Sequence, residues 1–239
     1  MLSGDNNASL DIWNKFRSSL ISKIVHRFNV NLLWEVGSGE GNVSIPLTLN
    51  NQAVICIEPI YSGAYKTAKM GLETYQGTLS SMNFPNSSIT AIGCFDVLEH
   101  LENPSLFLRE IFRILTPGGY LFTTVPLHQF LFSDFDKFAG HFKRYSKKSL
   151  SQELDDSGFH NIQFVHLFAI FIVPAMLSRI LFSRFRYNRV KKNLFLEKYT
   201  RYFLKLLTPI IFFFLKLEFY FKIPIGLSLL SVSRKKTDY

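Results

Sequence analysis

Three groups of residues have types and spacings that could do chemistry. The first is Glu35-Val36-Gly37-Ser38-Gly39-Glu40-Gly41, which overlaps the end of the short apolar run Leu32 to Val36. A buried strand passing straight into glycines makes a turn where backbone approaches a polar ligand with no side chain between. A dinucleotide fingerprint would need glycines at 37, 39 and 42, and residue 42 is Asn, so G-x-G-x-x-G fails. Twenty-three residues beyond Glu35, Glu58 closes a second apolar run, Ala53 to Ile57, where a carboxylate can accept both hydroxyls of a ribose. The second group, Asp96, Glu99 and His100, has D-x-x-E-H spacing and offers oxygen and nitrogen ligands to a divalent ion. The third follows the fifth apolar strand: His128, then Asp136, Gly140, His141, Arg144 and Tyr145. A histidine or carboxylate there could take a proton from a hydroxyl on a bound molecule.

These groups need elements to hold them. Ser9 to Phe28 places Leu10, Trp13, Phe16, Leu20, Ile24 and Phe28 at helical spacing, which predicts an amphipathic helix before the first strand. Strands are expected at Leu32 to Val36, Ala53 to Ile57, Thr74 to Gln76, Thr90 to Phe95, Tyr120 to Val125, Phe159 to Leu167 and Ile225 to Val232. Between them come helices after Gly41, over Tyr61 to Leu72, from Asn103-Pro104 as cap and first turn to a stop at Pro117-Gly118-Gly119, and over Ser146 to Ser157. Strands alternating with helices predict an α/β fold: a doubly wound, mostly parallel seven-stranded sheet covered on both faces, with right-handed crossovers.

The E-x-G-x-G-x-G turn, Glu58, Asp96-Val97-Leu98-Glu99-His100-Leu101 and Leu115-Thr116-Pro117-Gly118-Gly119 together resemble the signatures of class I S-adenosylmethionine-dependent methyltransferases over about residues 30 to 170 and again at the last strand. The resemblance implies a Rossmann-like fold with S-adenosylmethionine as cofactor. Its binding residues would be Glu35, Gly37, Ser38, Gly39, Glu58, Pro59, Phe95 and the backbone of Thr78-Leu79. Thr78 departs from the family, which usually places Asp after this glycine to hold the adenine amino group; a hydroxyl bonds more weakly than a carboxylate. The third group resembles a D-x-x-x-G-H-x-R-R-Y-like element of bacterial methyltransferases linked with envelope glycans and lipids, with Lys143 where Arg is common. By that resemblance His141 is the expected base, His128 the second candidate, and Tyr145, Asp136 and Arg144 would shape the acceptor site. Most relatives with D-V-L-E-H use no metal, so none is expected.

Length and charge bound the rest. A chain of 239 residues, 47% hydrophobic and 19% charged, can bury a full core, which excludes a disordered tail or a solitary small module. Cys56 and Cys94 lie in apolar runs without C-x-x-C spacing, as buried free thiols in a reducing compartment would. The N-terminus carries no basic stretch followed by an apolar run, so a cytoplasmic protein is expected. Residues 1 to 178 hold 13 Lys and Arg against 15 Asp and Glu, whereas residues 179 to 222 hold 11 against Glu197 and Glu218. Three parts are therefore expected: a cofactor-binding core over 1–168, a basic, aromatic helical insertion over 169–224, and the last strand with a basic tail over 225–239. The insertion's apolar runs are shorter than the roughly 20 residues of a membrane span, so it is expected to lie on an anionic membrane surface through 170–222. Its Phe residues sit within aliphatic runs, unlike base-stacking platforms, which disfavours nucleic acid.

The function expected is methyl transfer to an oxygen, less readily a nitrogen, of a small or lipid-linked acceptor such as an envelope glycan or lipid intermediate. The competing readings are a non-catalytic scaffold on the same fold and an RNA methyltransferase. The sequence gives no oligomeric state.

Overall fold

A computed structural model describes residues 8–176 and 209–236. The chain runs α1 (Ala8–Arg27), β1 (Leu32–Val36), α2 (Ser44–Leu49), β2 (Ala53–Glu58), α3 (Tyr61–Lys69), β3 (Glu73–Gln76), β4 (Ile89–Phe95), α4 (Pro104–Ile114), β5 (Leu115–Pro126), α5 (Asp134–Phe138), α6 (Lys147–Asp156), β6 (Phe159–Leu167) and β7 (Ser228–Lys235). Residues 209–221 are also helical.

The seven strands form one sheet in the order β3-β2-β1-β4-β5-β7-β6, parallel except for β7, which runs antiparallel to both neighbours. The order reverses between β1 and β4, and a crevice for ligands opens at such a switch point, beyond the strands' carboxyl ends. Adjacent residues on a strand face opposite ways. Ala91, Phe122 and Leu230 thus enter a core cluster with Leu20, Ile24 and Leu47 of α1 and α2, while Ile92, Leu121 and Leu229 enter a second with Leu108, Ile111 and Leu154 of α4 and α6. The two cysteines divide the same way, Cys56 into the first cluster and Cys94 into the second, both free and buried.

Four local expectations are corrected. Helix α4 ends at Ile114, before Pro117, because Leu115 has already joined the sheet opposite Ile89. Asn103 precedes α4 but makes no side-chain cap, so Pro104 at the first turn defines the start. The last strand begins at Ser228, after the prolyl break at 224, and continues to Lys235; Arg234 Nε donates to Gly118 O and Lys235 Nζ to Leu115 O, both at 2.8 Å. A short helix, α5, occupies what reads in sequence as loop.

The basic stretch from 179 to 205 lies outside the described residues. The described end of the insertion packs on the core: Leu215 is fully buried with α1, and Phe212 meets Phe16 edge-on at 6.0 Å. Among the described residues no helix is long and apolar enough to cross a membrane.

Candidate active site

The glycine turn is built for close approach. Gly37, Gly39 and Gly41 all have φ between +54° and +81°, a region that L side chains disfavour. A Cβ on Gly37 would lie 2.7 Å from Val97 Cγ2, whereas one on Gly39 would meet nothing within 4 Å. The face of Gly39 is therefore open to a ligand. Its N–H donates to Glu58 Oε2 at 2.7 Å, and Glu58 Oε1 accepts the Ile60 N–H at 2.9 Å. This buried carboxylate thus fixes the turn to the end of β2, and each oxygen keeps a lone pair for a further donor.

Glu35 lies beneath the turn. It is buried, accepts a bond from Ser44 Oγ, and its carboxyl is pushed up to about 7 by burial, although Ser44 and Arg17 pull the other way. Ser38 is buried with its hydroxyl unpartnered among the described residues, an orphan group beside the turn. Pro59 is exposed at the crevice edge. Thr78 is exposed, and its Oγ1 accepts the Ser81 N–H at 3.3 Å; Leu79 and Phe95 send their side chains into the core, so only their backbone can serve a ligand.

Arg17 reaches this pocket and was not singled out in the sequence. It is 7% exposed, pairs with Asp96, and lies within the fields of Glu35 and Glu99; burial holds its guanidinium below its ordinary pKa. Asp96 has φ of 56° and also accepts from Thr124 Oγ1 at 2.8 Å. The available signal was positional: Arg17 stands among Trp13, Phe16, Leu20 and Ile24, a charge inside an apolar helical stripe.

Beyond β5, Asp136 is the hub of the third group. It is fully buried and accepts from Arg144 Nε at 2.8 Å, Arg144 Nη2 at 2.7 Å, and the Ser133 N–H and hydroxyl. Burial opposes its ionisation, but Arg144 and Ser133 outweigh this and hold its pKa below the ordinary value. Its Oδ1 also faces His141 Nδ1 at 3.3 Å, which orients the imidazole and leaves Nε2 for other work. His141 in turn stands edge-on to His100, ring centres 4.6 Å apart. Glu99 is buried with Oε2 unpartnered among the described residues; burial first, then Asp136, pushes its carboxyl up to about 8.

The structure thus brings together Asp136, His141, Arg144, Glu99 and His100. It places two expected residues elsewhere. Tyr145 is a core side chain, 1% exposed, with its hydroxyl toward Leu98 O at 3.5 Å, so it supports the loop from below and does not face an acceptor. His128 is fixed by its Nε2 to Gly226 O at 2.8 Å, at the entry to β7. The cation-ligand set also differs from the sequence pattern: Glu99, His100 and His141 each offer an atom within 4.8 Å of the others, while Asp96 is taken by Arg17 and Thr124.

A parallel sheet with one antiparallel strand, a glycine turn at the switch point and an acid at the end of β2 define the class I methyltransferase architecture. The chain belongs to the methyltransferase-domain family, whose model matches residues 13–164. A protein of Mycolicibacterium smegmatis named "Probable S-adenosylmethionine-dependent methyltransferase" is 24% identical over 159 residues, 64% of this chain and 61% of that protein. The chain thus spans less than two thirds of the length of that relative. A solved S-adenosylmethionine-dependent methyltransferase of Thermotoga maritima superposes with a TM-score of 0.57 at 18% identity, over 94% of this chain and 98% of that one. The [4+2]-cyclase SpnF superposes with a TM-score of 0.58 at 15% identity, over 92% of this chain and 82% of that one, so the fold alone does not set the reaction.

S-adenosylmethionine is the cofactor of this family, and the residues present fit it. The open face of Gly39, the orphan Ser38 hydroxyl and the spare lone pairs of Glu58 are the features that a methionine moiety and a ribose require.

Proposed function

We propose that the protein transfers a methyl group from S-adenosylmethionine to an oxygen, less readily a nitrogen, of a small or lipid-linked acceptor. The observation that carries this reading is the Asp136–His141 pair: an imidazole whose Nδ1 faces a buried carboxylate, with Glu99 and His100 each offering an atom within 4.8 Å. Bound at the glycine turn, the cofactor supplies an electrophilic methyl on a sulfonium. The protein's part is placement. Glu58 and the turn fix the donor, and the loop carrying His141 sets the acceptor, since alignment supplies much of the rate in an in-line displacement. His141 Nε2 accepts the hydroxyl proton as the oxygen attacks, and Asp136 stabilises the imidazolium that results. Arg144 contributes by holding Asp136 in place.

The lipid-linked class of acceptor is supported by the apolar surface at the insertion. Ile210, Phe213, Phe214 and Phe221 are 53%, 58%, 48% and 69% exposed, next to a segment rich in Lys and Arg, an arrangement suited to an anionic membrane surface. A specific observation favours the non-catalytic alternative as well: Thr78, in place of an acid, spends its hydroxyl on Ser81.

The test is methyl transfer from radiolabelled S-adenosylmethionine to hydroxyl-bearing lipid and glycan acceptors, with wild type and His141→Gln. Label that reaches an oxygen, with kcat lowered about 100-fold or more by His141→Gln and cofactor affinity unchanged, supports the reading. Cofactor binding with no transfer to any acceptor class supports the scaffold instead.

A further inference from the structure

We propose that the groove between α1, β6 and the helix of residues 209–221 binds an anionic phospholipid, headgroup at the rim and acyl carbons on the floor. The groove encloses about 890 Å³, within the range of roughly 300–1,000 Å³ seen for small-molecule sites. Its floor is apolar: Phe16 and Leu20 from α1, Val165 from β6, and Phe212, Phe219 and Ile223 from the far side. Residues 212, 216 and 219 recur at helical spacing, so one face of this helix lines the groove, with Ile223 just beyond its end, while Phe213, Phe214 and Phe221 point outward.

Four cations border that floor: Lys23, Arg27, Lys216 and Lys222. All four are exposed, and Lys23 and Arg27 sit one helical turn apart on α1. None of the four has an ion-pair partner among the described residues. Glu218 also lines the groove but does not neutralise the rim: it is 5% exposed, and its Oε2 accepts the Ile170 N–H at 3.5 Å. Cations without an ion-pair partner among the described residues, above a floor of Phe, Leu, Val and Ile, match one ligand chemistry, a phosphate ester carrying hydrocarbon. Inorganic phosphate leaves the floor unused, and a neutral lipid leaves the cations unused. The outward aromatic side chains beside the groove would enter the same interface that supplies the lipid.

This inference rests on the membrane-surface part of the reading above and is independent of methyl transfer. The experiment uses the full chain and two probes. The first is a short-chain phosphatidylglycerol below its micelle concentration, titrated calorimetrically against short-chain phosphatidylcholine and inorganic phosphate. The second is flotation with vesicles of phosphatidylglycerol in phosphatidylcholine. The variants are Lys23→Glu/Arg27→Glu, at exposed helix positions, and Lys216→Glu, each checked for an unchanged melting temperature.

Expected is saturable binding of monomeric phosphatidylglycerol, weakened about 30-fold or more by the double variant at about 1 kcal/mol per charge, with no comparable binding of phosphatidylcholine or phosphate. Equal binding by wild type and both folded variants overturns the groove, as does inorganic phosphate binding as tightly as the lipid. Vesicle flotation without monomer binding overturns the groove but leaves surface association standing. Absence of both removes the groove and the surface reading together.

Discussion

Glu58 is the most decisive position to perturb, because one carboxylate fixes the glycine turn and, in the proposed complex, the ribose. In Glu58→Gln the side chain keeps its length and one carbonyl acceptor but replaces the other oxygen with an N–H donor. Either Gly39 N–H or Ile60 N–H, now held at 2.7 and 2.9 Å, would face that donor. Losing one charge-assisted backbone bond costs about 1–3 kcal/mol of stability. Cofactor affinity should fall further, since the turn loosens and two ribose hydroxyls lose an ionised acceptor. At about 2–4 kcal/mol, binding weakens about 30- to 1,000-fold. Glu58→Asp keeps the charge on a stem one carbon shorter, reaches fewer partners and should fall between. The assay is calorimetric titration with S-adenosylmethionine and S-adenosylhomocysteine, on protein freed of copurified ligand, beside urea denaturation of each variant. A folded Glu58→Gln protein that binds the cofactor within about threefold of wild type refutes the assignment of this carboxylate.

Three further outcomes follow from buried charge. Glu35 has a folded pKa of about 7 against an ordinary 4.5, so the native state binds the proton more tightly than the unfolded chain does. The Glu35 contribution is lost as pH rises from 4.5 through 7, by about 3 kcal/mol at most; urea titrations should show a steeper slope in wild type than in Glu35→Gln, where Glu99, raised to about 8, still contributes. Arg17→Met removes the partner of half-buried Asp96 and a cation near Glu35 and Glu99, and should cost about 1–3 kcal/mol in urea denaturation, discounted because Asp96 is one-third exposed. Chelator treatment should leave methyl transfer unchanged if His141 serves as base; activity lost to chelator and restored by a divalent ion would make Glu99, His100 and His141 ligands instead.

Two strands were legible in sequence where a strand-like stretch met a glycine: Leu32 to Val36, before Gly37, and Phe159 to Leu167, after Gly158, match the structure at both ends. The last strand was misplaced by three residues at each end. Ile225 is apolar but lies before pairing begins, and Arg234 and Lys235 are charged yet paired, their side chains bonded to carbonyls of the neighbouring strand. Hydrophobicity sees burial, not ladder bonds. The glycine turn and Glu58 were readable because both depend on local spacing. Arg17 was not, because its partner Asp96 is distant in sequence and only the packing of α1 on the sheet brings them together. Tyr145 was misassigned for a related reason: a motif records which residues occur together, while the strand-like bridge of Tyr145 with Leu127 decides which way the ring points.

Helix α1 links the cofactor pocket to the groove. Phe16 lies on the groove floor against Phe212, and the next residue, Arg17, enters the pocket to pair with Asp96. A lipid seated against Phe16, Leu20, Lys23 and Arg27 touches the same rigid element that places Arg17. Two ligands influence each other through a shared element only when each prefers one of its two arrangements, and the influence is then reciprocal. If lipid and cofactor both favour the docked position of α1, lipid should tighten S-adenosylmethionine binding about fivefold or more, and cofactor should tighten lipid binding by the same factor. Calorimetric titration of cofactor with and without saturating short-chain phosphatidylglycerol measures the first; the reverse titration measures the second. Identical cofactor affinities in the two titrations would refute the coupling of the two sites through α1.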